Sequence, residues 1–292
     1  MIDQLGLIGC GLMGGSFALG LKRAGLVKKV VGYSKSPTTT ERARRMGVID
    51  IEASSALMAA SNSDVILVAV PVASTGAILK TIQSLVQANT LVMDVGSTKL
   101  EVVQAAERAL RGRFPCFVPA HPIAGRESAG VENADADIYV GRRIVLTPNQ
   151  RTSPPHIAMA TELWQALGGH VSVMTPQDHD SAFAAVSHLP HLLAFAVMNA
   201  ISGQPQSKEL LALAGPGFRD FTRIAASDPK MWRDILLSNQ ASVMEQSRLF
   251  QRALAELERA IVSNDEKTLA EVIERASQAR AGWRLSSGSS QG

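Results

Sequence analysis

Residues 1–175 alternate short, nearly unbroken apolar runs with longer stretches whose apolar positions return at helical spacing. The runs fall at 5–8, 29–32, 65–70, 91–95, 116–119, 144–147 and 170–174. Each is of strand length, and a strand that is apolar at successive positions is covered on both faces, as in a parallel sheet. The stretches at 14–24, 39–46, 72–85 and 99–109 predict amphipathic helices. Residues 154–168 predict one more, with Pro154 and Pro155 placed where a helix can begin. Strands alternating with helices in this way predict βαβ units and a largely parallel sheet. Beyond 175 the pattern changes: residues 180–199, 208–213, 229–260 and 266–279 keep helical spacing, and no strand-like run remains. The expectation is an α/β domain over 1–175 and an all-helical domain over 176–285, with a flexible tail at 286–292 (SSGSSQG).

The first run leads directly into Gly9-Cys10-Gly11-Leu12-Met13-Gly14 and then into a helical stretch. G-x-G-x-x-G between a strand and a helix marks a Rossmann dinucleotide-binding unit. Gly9 allows the tight turn, Gly11 lets the backbone approach the pyrophosphate, and Gly14 lets helix and strand pack closely, with the helix N-terminus facing the phosphate charge. Leu12 and Met13 of the loop, and Val70 and Pro71 at the end of the third run, are expected beside the cofactor. In NAD enzymes an acidic residue about 20 positions past the last glycine holds the ribose hydroxyls. Ser34 and Lys35 stand there instead, and no carboxylate follows until Glu41. A hydroxyl and a cation suit a ribose phosphate better than a bare diol, so NADP is expected ahead of NAD.

Two further segments carry candidate chemistry. Asp94-Val95-Gly96-Ser97-Thr98-Lys99 closes the fourth run, and Pro119-Ala120-His121-Pro122-Ile123-Ala124-Gly125-Arg126-Glu127-Ser128-Ala129-Gly130 closes the fifth. Parallel sheets bind ligands at the carboxyl ends of their strands, so Ser97 and His121 should converge beside the nicotinamide. A histidine there can accept a proton near neutral pH, and a serine hydroxyl can orient it or the substrate.

With these segments the chain resembles the prephenate and arogenate dehydrogenase (cyclohexadienyl dehydrogenase) family. The resemblance rests on GCGLMGGS, DVGSTK and HPIAGRESAG, and continues through TPQDHD, SHLPH and GFRDFTRIAASDPKMWRDI. It implies a substrate that is a cyclohexadiene bearing a ring carboxylate, a three-carbon side chain and a hydroxyl opposite the carboxylate. It also implies that His121 takes the hydroxyl proton as hydride leaves the same carbon, and that the ring carboxylate then departs as carbon dioxide. Ser97 would hydrogen-bond both the hydroxyl and His121, and Arg223 would grip a substrate carboxylate as a bidentate pair. The same resemblance places His191 and Trp232 in the substrate pocket and Glu127 and Asp220 at its entrance. His179 and His188 it leaves as structural residues at the domain junction. Many relatives carry an acidic residue where Ser34-Lys35 stand here, which bears on the choice of cofactor and not on the reaction.

Composition narrows the alternatives. A net charge of +3, carried by scattered basic residues with few aromatics, argues against a nucleic-acid groove. No unbroken apolar run approaches the ~20 residues of a membrane span, and no basic leader precedes the first strand, so a cytoplasmic protein is expected. Cys10 and Cys116 fit neither a disulfide framework nor a metal site, and read as core thiols. Other Rossmann-plus-helical oxidoreductases, such as β-hydroxyacid dehydrogenases or pyrroline-carboxylate reductases, share the general pattern. The hydroxyacid dehydrogenases use a lysine on an interdomain helix as acid/base, where SHLPH and GFRDFTR stand here, and a non-catalytic NAD(P)H-sensing module would not need His121, Ser97 and Arg223 together. Ile235, Val243, Leu249, Leu254 and Leu257 give the long helical run an apolar face, from which a homodimer through the helical domain is expected.

Overall fold

The computed structural model describes residues 1–124 and 129–283. Six parallel strands form the main sheet: β1 (Ile2–Ile8), β2 (Val27–Tyr33), β3 (Ile51–Glu52), β4 (Val65–Val68), β5 (Leu91–Asp94) and β6 (Phe117–Val118), in the order β3-β2-β1-β4-β5-β6. They are linked by α1 (Leu12–Arg23), α2 (Pro37–Arg45), α3 (Ala56–Ala60), α4 (Val72–Ile82) and α5 (Leu100–Leu110). The order reverses between β1 and β4, and the crevice outside that point is where such sheets bind ligands. Strand register brings Ile8 level with both Tyr33 and Val68, and Val68 level with Asp94, so the segments leaving β1, β2, β4 and β5 open onto one edge.

The apolar runs are continuous because both faces of the sheet are buried. Leu5 and Leu7 of β1 pack with Phe17, Leu21, Tyr139 and Trp164 on one face, while Ile8 joins Ile66, Val68, Leu79 and Ile82 on the other. Each such side chain contributes about 1.5–3 kcal/mol when fully buried. Trp164 lies at the centre of an aromatic group, edge-on to Phe17 at 4.8 Å and to Tyr139 at 5.1 Å.

Past β6 the chain departs from the expected single sheet. Strand β7 (Ala120–Pro122) leaves the main sheet and pairs antiparallel with β8 (Arg143–Leu146). Strand β8 in turn pairs parallel with β9 (His170–Val173), which follows α6 (Pro154–Ala166). This turn-off carries His121 away from the edge of β6 and under the helical region.

That region begins with α7 (Pro176–Phe183) and α8 (Leu189–Ser202), which run as one 27-residue helical segment through a π-helical turn at Ala184–His188. Pro190 lacks an amide proton, and its ring crowds the carbonyl four residues earlier; a widened turn accommodates both effects. The segment has a mean hydropathy of 1.5 over its most apolar window, which makes it long and apolar enough to cross a membrane by composition alone. The sequence expectation did not register it, because His179, Asp180, His188 and His191 interrupt the apolar run. Helices α9 (Ser207–Ala212), α10 (Pro216–Thr222), α11 (Pro229–Ser238), α12 (Gln240–Val262) and α13 (Glu266–Gly282) complete the fold. The expected continuous helix over 229–260 is broken at Asn239, whose side chain turns inward to bond other helices. Ile235 and Val243, expected on an outer face, are buried within the chain, whereas Leu249 and Leu254 remain exposed. The expected tail at 286–292 lies outside the described residues.

Candidate active site

The glycine loop is shaped by contacts that leave little choice of residue. Gly9 has φ +103°, and a Cβ there would stand 2.1 Å from the Ala69 carbonyl oxygen. A Cβ on Gly14 would meet the Gly9 carbonyl oxygen at 2.2 Å, so the helix rests directly on the turn. Gly11 differs: a Cβ there would have no protein atom within 4 Å among the described residues. Gly9 and Gly14 serve packing, and Gly11 keeps an open face of backbone at the N-terminus of α1. The first turn of α1 holds no acidic residue, so the partial positive charge of the helix end is uncompensated there. An anionic diphosphate fits this cradle.

Ser34 is built into the same loop: the Cys10 backbone N–H donates to its Oγ at 2.9 Å. Lys35 is exposed beside it. Leu12 and Met13 form the first turn of α1, and the Met13 carbonyl accepts a 2.6 Å bond from the Tyr139 hydroxyl. Val70 and Pro71 follow β4 and lead into α4, with Pro71 as its N-cap. Cys10 and Cys116 are both buried, and burial raises the Cys10 thiol to about 11, which leaves it inert.

Across the sheet edge, Asp94 at the end of β5 organises the next two turns. Its carboxylate accepts from the Gly96 N–H at 2.8 Å, from the Ala120 N–H at 3.1 Å, and from the buried Lys99 ammonium. The ammonium also donates to the Ala120 carbonyl at 2.8 Å. Burial draws Lys99 below its ordinary value, against the pull of Asp94. Removing one partner of such a buried pair costs about 3–5 kcal/mol. The pair clamps the residue before His121 to the turn that carries Ser97.

His121 is half-buried at that clamp, with the ring of Phe183 4.8 Å away. Its Nδ1 lies 2.8 Å from Nε2 of His179, whose Nδ1 lies 2.7 Å from Oδ1 of Asp180. Asp180 also accepts from the backbone N–H groups of Lys99 and Leu100, at 2.8 and 2.9 Å. Burial, reinforced by the nearby Lys99 ammonium, holds His121 well below its ordinary value, so the ring is neutral at pH 7. Its Nε2 has no hydrogen-bond partner among the described residues.

Two family models match the chain along its sequence. Residues 17–173 match the model described as "Prephenate dehydrogenase, nucleotide-binding domain", and residues 175–275 match "Prephenate dehydrogenase, dimerization domain". The chain belongs to the prephenate dehydrogenase family. It is 30% identical to the cyclohexadienyl dehydrogenase of Zymomonas mobilis, over 96% of each chain. It superposes with a TM-score of 0.89 and 37% identity on a prephenate dehydrogenase from A. aeolicus in complex with hydroxyphenyl propionate and NAD+, covering 96% of this chain and 98% of that one. Against the Synechocystis arogenate dehydrogenase the TM-score is 0.81 at 26% identity, with 95% and 99% of the two chains covered.

The other residues singled out for a prephenate dehydrogenase pocket fall into two groups. His191 and Trp232 come together as a stacked pair with ring centroids 3.5 Å apart, and His188 meets the same indole edge-on at 6.1 Å. The His191 Nδ1–H donates to the Ser187 carbonyl at 2.9 Å. Burial lowers its basicity, and the charge of Arg223 adds to that effect, so Arg223 lies within electrostatic reach of this pair. The Trp232 indole N–H is buried and has no partner among the described residues. Asp220, by contrast, is exposed on α10 and pairs with its neighbour Arg219 at 3.4 Å. Glu127 lies outside the described residues. Ser97 is half-buried on the turn after β5, but no Ser97–His121 hydrogen bond is formed among the described residues; His179 occupies Nδ1 instead. Asp180 and Asn239 are residues of the site that the sequence left unseen, Asp94 and Lys99 stood in the segment with Ser97 without a role of their own, and His179, expected only as a structural residue at the domain junction, bonds His121 directly. The available signal was a histidine followed directly by an aspartate at the start of a helix.

Proposed function

We propose that this protein oxidises prephenate, arogenate or both, with loss of carbon dioxide and reduction of NAD(P). The observation that carries this reading is the state of His121: its Nδ1 is engaged by His179, its Nε2 has no partner among the described residues, and the residue before it is held by Asp94 at the end of β5. A neutral imidazole with an open lone pair is a general base. His121 Nε2 accepts the proton of the ring hydroxyl, and the O–H electron pair closes the carbonyl as hydride leaves that carbon. The dinucleotide, when bound along Gly9, Gly11 and Gly14, supplies the hydride acceptor. The new carbonyl withdraws electrons through the ring, the carboxylate departs as carbon dioxide, and the ring becomes aromatic.

Ser97 orients the substrate hydroxyl in this reading, and Arg223 pairs with a substrate carboxylate. His191 and Trp232 form the pocket wall, and Asp220 and Glu127 stand at its entrance. NADP is favoured over NAD, because Ser34 presents a hydroxyl and Lys35 a cation where a carboxylate would repel the extra phosphate. Two chains pair through the helical domain. The apolar segment Pro176–Ser202 has only 17% of its window buried within one chain, and Val186, Phe221, Leu249 and Leu254 are exposed, which supports cover by a second copy. His179 and Asp180 of that segment are bonded to the first domain, which supports a docked helix in a cytoplasmic enzyme and not a membrane span. Initial rates of cofactor reduction on prephenate and on arogenate, each with NAD and NADP, test the reading. Turnover on neither substrate would refute it.

A further inference from the structure

We propose that His179 and Asp180 form a positioning relay, which fixes the tautomer of His121 and stabilises the charge that His121 acquires when it takes the substrate proton. The inference rests on the functional reading above. Its basis is a chain of hydrogen bonds with one consistent assignment of protons. A carboxylate only accepts, so the 2.7 Å contact between Asp180 Oδ1 and His179 Nδ1 puts a proton on that nitrogen. With His179 neutral, its Nε2 is an acceptor, and the 2.8 Å contact places a proton on His121 Nδ1. The remaining nitrogen of His121, Nε2, then carries the lone pair.

Each member of the chain is held on its far side. Asp180 is 2% exposed and His179 0% exposed. Asp180 is fixed by two backbone N–H groups at the start of α5, and the Phe183 ring stacks on His179 at 4.4 Å. The carboxylate and the second imidazole come from α7, while His121 comes from β7 and the two amides from the turn after β5. The relay therefore closes only when the two domains are docked, and docking sets the base in its active tautomer. The charged or titratable groups facing the two rings among the described residues are Lys99, Asp94, Asp180 and His188. Lys99 is neutralised by Asp94, and Asn239 donates to His188 Nδ1 at 3.2 Å, so neither competes for His121 Nδ1.

The proposal separates from a merely structural role for His179 by variants that keep the ring space. His179→Phe retains a ring against Phe183 but cannot accept a proton, whereas His179→Gln restores an acceptor near the position of Nε2. The expected result for His179→Phe is a fall in kcat of about tenfold to a thousandfold with KM values for substrate and cofactor within about threefold. The acid limb of its pH–rate profile should shift to lower pH, because a less stabilised imidazolium is less basic. His179→Gln should recover most of the lost kcat. A long-range nitrogen–proton correlation spectrum of histidine-labelled parent protein should show His121 protonated at Nδ1. Parent protein showing His121 protonated at Nε2 would overturn the proposal even if neither variant folded. So would a folded His179→Phe protein with parental kcat and pH profile, while normal turnover by the parent would leave the functional reading standing.

Discussion

His121 and His179 meet across the junction of the two domains, Nδ1 to Nε2 at 2.8 Å, although 58 residues separate them in the chain. The contact divides the two nitrogens of His121 between different tasks. One is occupied by the protein, and the other has no partner among the described residues.

His121→Asn keeps a hydrogen-bonding side chain but removes the proton acceptor. Turnover should fall by about a hundredfold to ten-thousandfold, with cofactor binding, followed by quenching of intrinsic fluorescence, nearly unchanged. Near-parental turnover would make His121 a structural residue.

Stability should depend on pH in a defined window. His121, His179, His188 and His191 all sit below the ordinary histidine value, burial being the first cause in each, and His188 is drawn down to about 4. Groups of this kind bind protons more readily in the unfolded chain. Their contribution is complete above pH ~6.5 and is lost as pH falls toward the folded value, His188 alone accounting for about 1.4 kcal/mol per pH unit. Urea midpoints should therefore drop steadily from about pH 7 to about pH 4.5. A flat profile would show that the histidines are not held neutral by the fold.

Much of the first domain was legible in the sequence because both faces of its sheet are buried, so β1, β2, β4 and β5 appear as unbroken apolar runs. The three-residue β7 gave no such signal, since a strand that short shows no periodicity and its departure from β6 is set by pairing with distant β8. Asn239 was hidden for a related reason: apolar spacing continues across it, and only its inward bonds to Asp180 and His188 explain the break. In the site itself, His121 stood out by its place after a strand. His179 was expected only as a structural residue at the domain junction, because its bond to His121 is a contact between domains that no local pattern encodes.

The helical domain should associate. Sedimentation at micromolar concentration should give twice the chain mass, and Leu249→Glu with Leu254→Glu should shift the protein toward monomer, since both leucines are exposed in the isolated chain. A parent protein that sediments only as a monomer would remove the proposed interface.

Cofactor choice should follow the loop after β2. The parent should show a higher kcat/KM with NADP than with NAD, and Ser34→Asp should reverse the order by adding a carboxylate that repels the ribose phosphate. Asp can still accept the Cys10 N–H that now bonds Ser34 Oγ, so the loop should survive the change. A parent that prefers NAD, with no change on substitution, would show that this loop does not read the phosphate.

Product stoichiometry tests the chemistry most directly. Purified protein given prephenate or arogenate with oxidised NAD(P) should release reduced nucleotide, carbon dioxide and an aromatic product in equal amounts. Reduced nucleotide formed without carbon dioxide, or no reduction on either substrate, would contradict oxidative decarboxylation at His121.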